Sequence, residues 1–193
     1  MENRSSPRVP SCEVDPLFID RWSPRSFLLK ALTDSQVSAL FEAARWSPSC
    51  MNEQPWKFFY ARSAKMREKF VQPLVERNKQ WAQTAPLLIY IAARKAFTRD
   101  GAINRHSGFD TGAAWMALAL AARKLDLYSH AMAGFNLDRA YSVLGVSPAE
   151  YDIYAAIAVG HLGDPQTLPE PLREKESPSS RNAYSKIAVE LID

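Results

Sequence analysis

The stretch Pro48-Ser49-Cys50-Met51-Asn52-Glu53-Gln54-Pro55-Trp56 sets hydroxyl, thiol and amide groups between two prolines. Each proline fixes its own φ and biases the residue before it towards extended backbone, so the segment presents polar contacts from a stiff chain. That suits a polar ligand held in one pose. Arg21-Trp22-Ser23-Pro24-Arg25 places two guanidinium groups beside a hydroxyl, and Ser179-Ser180-Arg181 repeats the pairing towards the other end of the chain. A guanidinium fork matches a pair of phosphate oxygens, and serine adds a further donor. Either cluster alone is ordinary for a solvated loop. Together they can close on one phosphate.

The elements that must position these groups follow from periodicity. A short helix is expected over residues 14–21. Thr33-Asp34-Ser35-Gln36 is a capping-box pattern, and Val37, Leu40, Phe41 and Ala44 then recur at helical spacing up to Trp46. The proline-bounded stretch therefore leaves a helix C-terminus and enters a strand at residues 56–60, rich in aromatic side chains. Two helical patterns separate it from a buried strand at 86–93 that starts with proline. Residues 108–125 are apolar on most faces and rich in small side chains, which predicts a central helix that a neighbour can approach closely. A short strand at 127–133 ends at Gly134, Asn136 caps a helix over 137–144, Ser147-Pro148-Ala149-Glu150 opens one turn, and 151–160 reads as another buried strand. The class is α+β.

The chain has 193 residues with 47% hydrophobic content, enough for one domain with a continuous core. Its 24 basic and 21 acidic residues form no long block of one sign, so neither nucleic acid nor a membrane surface is an expected partner. Residues 1–12 carry serine, proline and arginine without periodicity and read as a mobile arm, of use in assembly rather than in chemistry. The first residues lack the apolar core of a signal peptide, and Cys12 and Cys50 form no CxxC, so a reducing cytoplasm is the expected location. His106, His130 and His161 lack HxxxH or HExxH spacing, and no metal is expected.

The ordered motifs resemble those of the nitroreductase family of FMN-dependent oxidoreductases. The likeness spans nearly the whole chain: Arg21-x-Ser23-x-Arg25, Pro48-Ser49-x-x-Asn52-x-Gln54-Pro55-Trp56, Asn78-x-x-Trp81 before Ala85-Pro86, Asp110-x-Gly112, Gly134-Phe135 and Arg181. It implies a three-layer α/β/α fold, a mixed and mostly antiparallel sheet flanked by helices, and a domain-swapped homodimer with FMN sites at the subunit interface. Residues 13–193 would form one FMN-binding domain, with 164–193 an arm wrapping the partner.

By the same resemblance Arg21, Ser23 and Arg181 hold the FMN phosphate and ribityl end, Trp22 sits inside that cofactor-binding motif, and Arg25 reaches the pyrimidine edge of the ring. Pro48, Ser49, Cys50 and Asn52 line the flavin from the other side, Asn78 belongs to the site, and the backbone of Ala133 and Gly134 lies near flavin N5. The implied activity passes electrons from NADH or NADPH through N5 to nitroaromatics, quinones or similar small electrophiles by a ping-pong mechanism, with no catalytic side chain. Met51 and His106 are the expected substrate contacts. Cys50 stands where serine is common, Ala133 where some members carry glutamate, and Ser179 where some carry lysine. A flavin-binding module without turnover, and a flavin-destroying or dehalogenating branch of the fold, are the alternatives.

Overall fold

The computed structural model describes residues 8–192. Four strands, β1 (Trp56–Ala61), β2 (Leu87–Arg94), β3 (Tyr128–Met132) and β4 (Tyr151–Gly160), form one sheet in the order β1-β2-β4-β3. Every pairing is antiparallel, so the parallel contribution expected of a mixed sheet is not made among the described residues. The two central strands are the ones with continuous apolar runs, as strands covered on both faces must be.

Alternation along β2 builds two cores. Leu87, Ile89 and Ile91 face α2 (Asp34–Arg45) and α5 (Ser107–Lys124), meeting Val37, Leu40, Ala44, Leu118 and Ala122. Leu88, Tyr90 and Ala92 face the opposite layer, where Phe70 of α3 (Ala64–Val71), Trp81 of α4 (Glu76–Ala82) and Ala140 of α6 (Leu137–Leu144) pack. The side-chain period of two thus divides one strand between two hydrophobic layers, giving the three-layer arrangement. Both capping expectations hold: Thr33 Oγ1 accepts the Gln36 N–H at 3.1 Å while Gln36 Oε1 accepts the Thr33 N–H at 3.0 Å, and Asn136 Oδ1 accepts the Arg139 N–H at 2.9 Å.

The two ends of the described chain are not passive extensions. The loop after α1 (Pro16–Asp20) is fastened to the end of β4: Leu28 N–H donates to His161 O at 3.0 Å and Gly163 N–H to Ser26 O at 2.9 Å. A Cβ on Gly163 would lie 2.9 to 3.1 Å from the Phe27 backbone, so only glycine fits that approach. Beyond it, Leu168 and Leu172, the latter in α7 (Glu170–Arg173), join the core beside Phe27 and Trp81. The first part of the arm expected from residue 164 thus packs on its own chain. Residues 164–176 are anchored in their own chain, whereas 179–192 are exposed throughout. No helix of the described residues is long and apolar enough to cross a membrane.

Candidate functional site

A cavity of about 220 Å³ opens where the two chain ends meet. Its cations are Arg8, Arg21, Arg25, Lys175 and Arg181, and its hydroxyls are those of Ser23, Ser177 and Ser179, with the rings of Trp22 and His130 completing the wall. The structure thus unites Arg21, Trp22, Ser23, Arg25 and Arg181, which lie up to 160 positions apart in sequence.

What unites them is the carboxylate of Glu176, which is 2% exposed. Its Oε1 accepts the Arg25 N–H at 2.7 Å, the Ser26 N–H at 2.8 Å and the Ser26 hydroxyl at 2.8 Å, while Oε2 lies 3.6 Å from the Arg25 guanidinium. A buried carboxylate is tolerated only with such donors, and these are distributed over the loop that carries Ser23 and Arg25. Arg25 is consequently occupied: it pairs with Glu176 and also donates to Lys175 O at 3.3 Å.

Charge in the cavity is one-sided. Burial, and then the neighbouring Arg181, pull the Arg21 guanidinium below its usual range. Arg8 is lowered by burial, then by Arg181 and by Arg21. Mutual repulsion among guanidinium groups is relieved by a multiply charged anion seated between them, and serine hydroxyls supply its remaining donors. A phosphate dianion fits this donor set.

The stretch 48–56 is stiffened by more than its prolines. Met51, Asn52 and Gln54 have φ of 54°, 56° and 52°, left-handed values that L residues seldom adopt. The turn is held by Cys50 N–H donating to Asp110 Oδ2 at 3.0 Å, by Gln54 N–H donating to Ser49 Oγ at 3.0 Å, and by the Gln54 amide donating to Asn52 O at 3.0 Å. Asp110 is buried in the first turn of α5. Such strain persists where surroundings over-determine it, a frequent mark of ligand clamps. Met51 is 69% exposed. His106, just before α5, is half-buried, with its Nε2 3.3 Å from Arg105 Nε and its N–H donated to Asn104 Oδ1 at 3.0 Å. Neither Pro48, Ser49, Cys50, Met51 nor Asn52 lines the arginine cavity of the same chain.

Asn78 is bound to protein. Its amide donates to Gly134 O at 3.1 Å, the same oxygen that accepts the Val75 N–H at 3.0 Å. A Cβ on Gly134 would come within 2.8 Å of Asn78 Nδ2 and 2.9 Å of Val75 Cγ2. The glycine therefore lets α4 close on the Ala133-Gly134 turn, a packing reason that the sequence did not suggest.

Several cavity residues escape sequence reasoning. Arg8 lies in the arm expected to serve assembly only, yet it lines the cavity. Lys175, Glu176 and Ser177 sit in a polar tail whose pattern marks nothing, and His130 carries no motif. Outside the cavity, Asp110 did have a signal, its place in Asp110-x-Gly112.

Comparison with known proteins decides the family. The nitroreductase family model matches residues 19–80 and 64–161, most of the chain. The chain belongs to the nitroreductase family. Its fold is also that of an oxidoreductase solved as an FMN-containing crystal structure, at 36% identity and a TM-score of 0.91, over 98% of this chain and 97% of that one. An FMN complex of a provisionally named nitroreductase from Desulfovibrio desulfuricans superposes with a TM-score of 0.72 at 24% identity, over 94% of this chain and 99% of that one. A Streptomyces griseus protein provisionally named NADH dehydrogenase/NAD(P)H nitroreductase is 34% identical over 86 residues, 45% of this chain and 44% of that protein. The chain thus matches less than half the length of that relative.

His130 gives the cavity an acid-sensitive support. Its ring lies 4.6 Å from that of Trp81, and Nδ1 is 2.8 Å from Pro24 O, placing the ring beneath the Ser23-Pro24 turn. Burial lowers its pKa to about 4, outweighing the Pro24 carbonyl, which favours the cation. At neutral pH the ring is neutral and Nδ1–H donates to Pro24 O. With an unfolded pKa near 6.5, the unfolded chain takes up the proton first, so His130 costs no stability above about pH 6.5 and progressively more as pH falls towards 4. Urea unfolding should show a loss on the order of 3 kcal/mol between those pH values that His130→Gln lacks. Parallel pH profiles for the two proteins would contradict this role.

Proposed function

We propose that this chain is an FMN-dependent oxidoreductase that takes electrons from NADH or NADPH and delivers them to nitroaromatics, quinones or similar small electrophiles by a ping-pong mechanism. The observation that carries the reading is the cavity in which Arg21, Arg181 and Ser23 converge, on a fold shared with an FMN-containing oxidoreductase at 36% identity. Bound FMN would supply hydride chemistry at N5. The protein's own residues would bind and orient. Arg21, Arg181 and Ser23 grip the phosphate, Trp22 borders it, and Arg25, paired with Glu176, fixes the loop rather than reaching the ring.

The remaining wall comes, in this reading, from a second copy of the chain. Pro48, Ser49, Cys50 and Asn52 are built into a strained, anchored turn that does not reach the cavity of its own chain. Pairing two chains brings one protomer's turn to the other's cavity, with Ala133, Gly134 and Asn78 at the ring and Met51 and His106 at the acceptor. Two apolar surfaces support a dimer: Phe109 on α5 is 83% exposed, and Ile187, Val189, Leu191 and Ile192 of the terminal arm are each at least 77% exposed. Monomers seldom leave so contiguous an apolar segment in water.

Purified protein should be yellow, and NADH or NADPH should bleach the flavin band rapidly in the absence of oxygen. A nitroaromatic or quinone should then restore it. Protein that takes up no FMN contradicts the cofactor, and flavin that neither nicotinamide reduces makes the protein a binding module without turnover. Deleting residues 184–193 should convert dimer to monomer by light scattering and lower FMN occupancy while Arg181 is kept. A persistent dimer would contradict the role of the arm.

A further inference from the structure

Arg8 stands outside every motif that points to the cofactor, yet it is one of the most connected side chains at the cavity. Its Nε donates to Ser179 O at 2.8 Å, and its Nη1 donates to Ile19 O at 2.8 Å and to Arg21 O at 2.6 Å. One guanidinium therefore ties the start of the chain, the end of α1 and the Ser179-to-Arg181 segment, 171 positions away. Ser179 is held on both sides, since Arg181 Nη1 donates to Ser179 Oγ at 2.9 Å. Arg8 is thus the bracket between Arg21 and Arg181, and it adds its own positive charge to the cavity they line.

Resting on the flavin reading, we propose that Arg8 is a specificity-determining residue that makes the site select a phosphorylated flavin over the uncharged parent, riboflavin. Two physical effects act in the same direction. The Arg8 charge attracts a phosphate dianion and is indifferent to a hydroxyl. Its donor bonds to Ser179 O and Arg21 O hold the two flanking arginines at one spacing, so the order they must adopt to grip phosphate is supplied in advance. Without an anion, the guanidinium groups of Arg8, Arg21 and Arg181 repel one another; burial first, and then these neighbouring charges, lower the proton affinities of Arg8 and Arg21. With a dianion the repulsion turns into attraction, and the two chain ends lock. The anion is in this sense the pin of a clasp formed by residues 8, 21 and 175–181.

The experiment compares wild type, Arg8→Met and Arg8→Lys by flavin-fluorescence titration with FMN and with riboflavin, and by hydrogen exchange over residues 175–183. A charge-assisted contact of this kind is typically worth at least about tenfold in affinity. Arg8→Met should weaken FMN by about tenfold or more while leaving riboflavin unchanged, Arg8→Lys should restore part of the loss, and FMN but not riboflavin should slow exchange over 175–183 in wild type. Equal weakening of both flavins, or no weakening of FMN, overturns the proposal. If wild type binds neither flavin, the cofactor reading fails separately. Inorganic phosphate then serves as the probe: protection of residues 175–183 in wild type and its loss in Arg8→Met support the anion clasp, and equal behaviour of the two proteins overturns it.

Discussion

One buried carboxylate sets the geometry on which the candidate site depends. Glu176 satisfies two backbone N–H groups and a hydroxyl of residues 25–26 and faces the Arg25 guanidinium, all inside a protein environment that would strongly penalise its charge alone. Because its partners lie 150 and 151 positions away, the tail that bears Arg181 is delivered to the loop that bears Arg21 and Ser23. Leu168 and Leu172 bury themselves just before it, so the carboxylate ends a segment already fixed by apolar packing. Removing the carboxylate would leave the Arg25 and Ser26 N–H groups buried without an acceptor. Truncating a surface arginine would leave nothing comparable.

Beneath this junction the sheet supplies a fixed platform. His130 rises from β3 to hold Pro24 O, and the Phe27 backbone closes on Gly163 at the end of β4. The loop between residues 21 and 28 is thus held from below by the sheet and from the side by the tail. Preorganisation of this kind puts the ordering cost into folding rather than into ligand binding. Outside the cavity, Asp110 performs the equivalent task for the strained turn at 50–54 through a single bond to the Cys50 N–H. One cation-rich loop and one polar turn are therefore each anchored by one buried acid.

The fold was largely legible in the sequence because its signals are local. Residues 137–144 and 151–160 show their period and caps within a few residues, and the structure places α6 and β4 at those same bounds. The two-sided burial of β2 followed from an unbroken apolar run. The site was legible in part: Arg21, Ser23 and Arg181 are recognisable as phosphate-type donors and do share one cavity. Arg8, Glu176 and His130 were not, because each has a partner more than a hundred positions away, and no local pattern distinguishes a buried glutamate in a polar tail from a solvated one. The prolines of the 48–56 stretch signalled only part of its stiffness. Further restraint comes from left-handed backbone held by hydrogen bonds, which composition does not display.

The central claim is that the two chain ends, joined through Glu176, form the phosphate end of a flavin site. The most direct measurement is a crystal structure of the protein grown with FMN. The account predicts the phosphate within about 3 Å of donors on Arg21, Ser23 and Arg181, with Glu176 still bound to the residue 25–26 backbone. FMN bound with its phosphate away from these arginines, or seated there with Glu176 displaced into solvent, would contradict it.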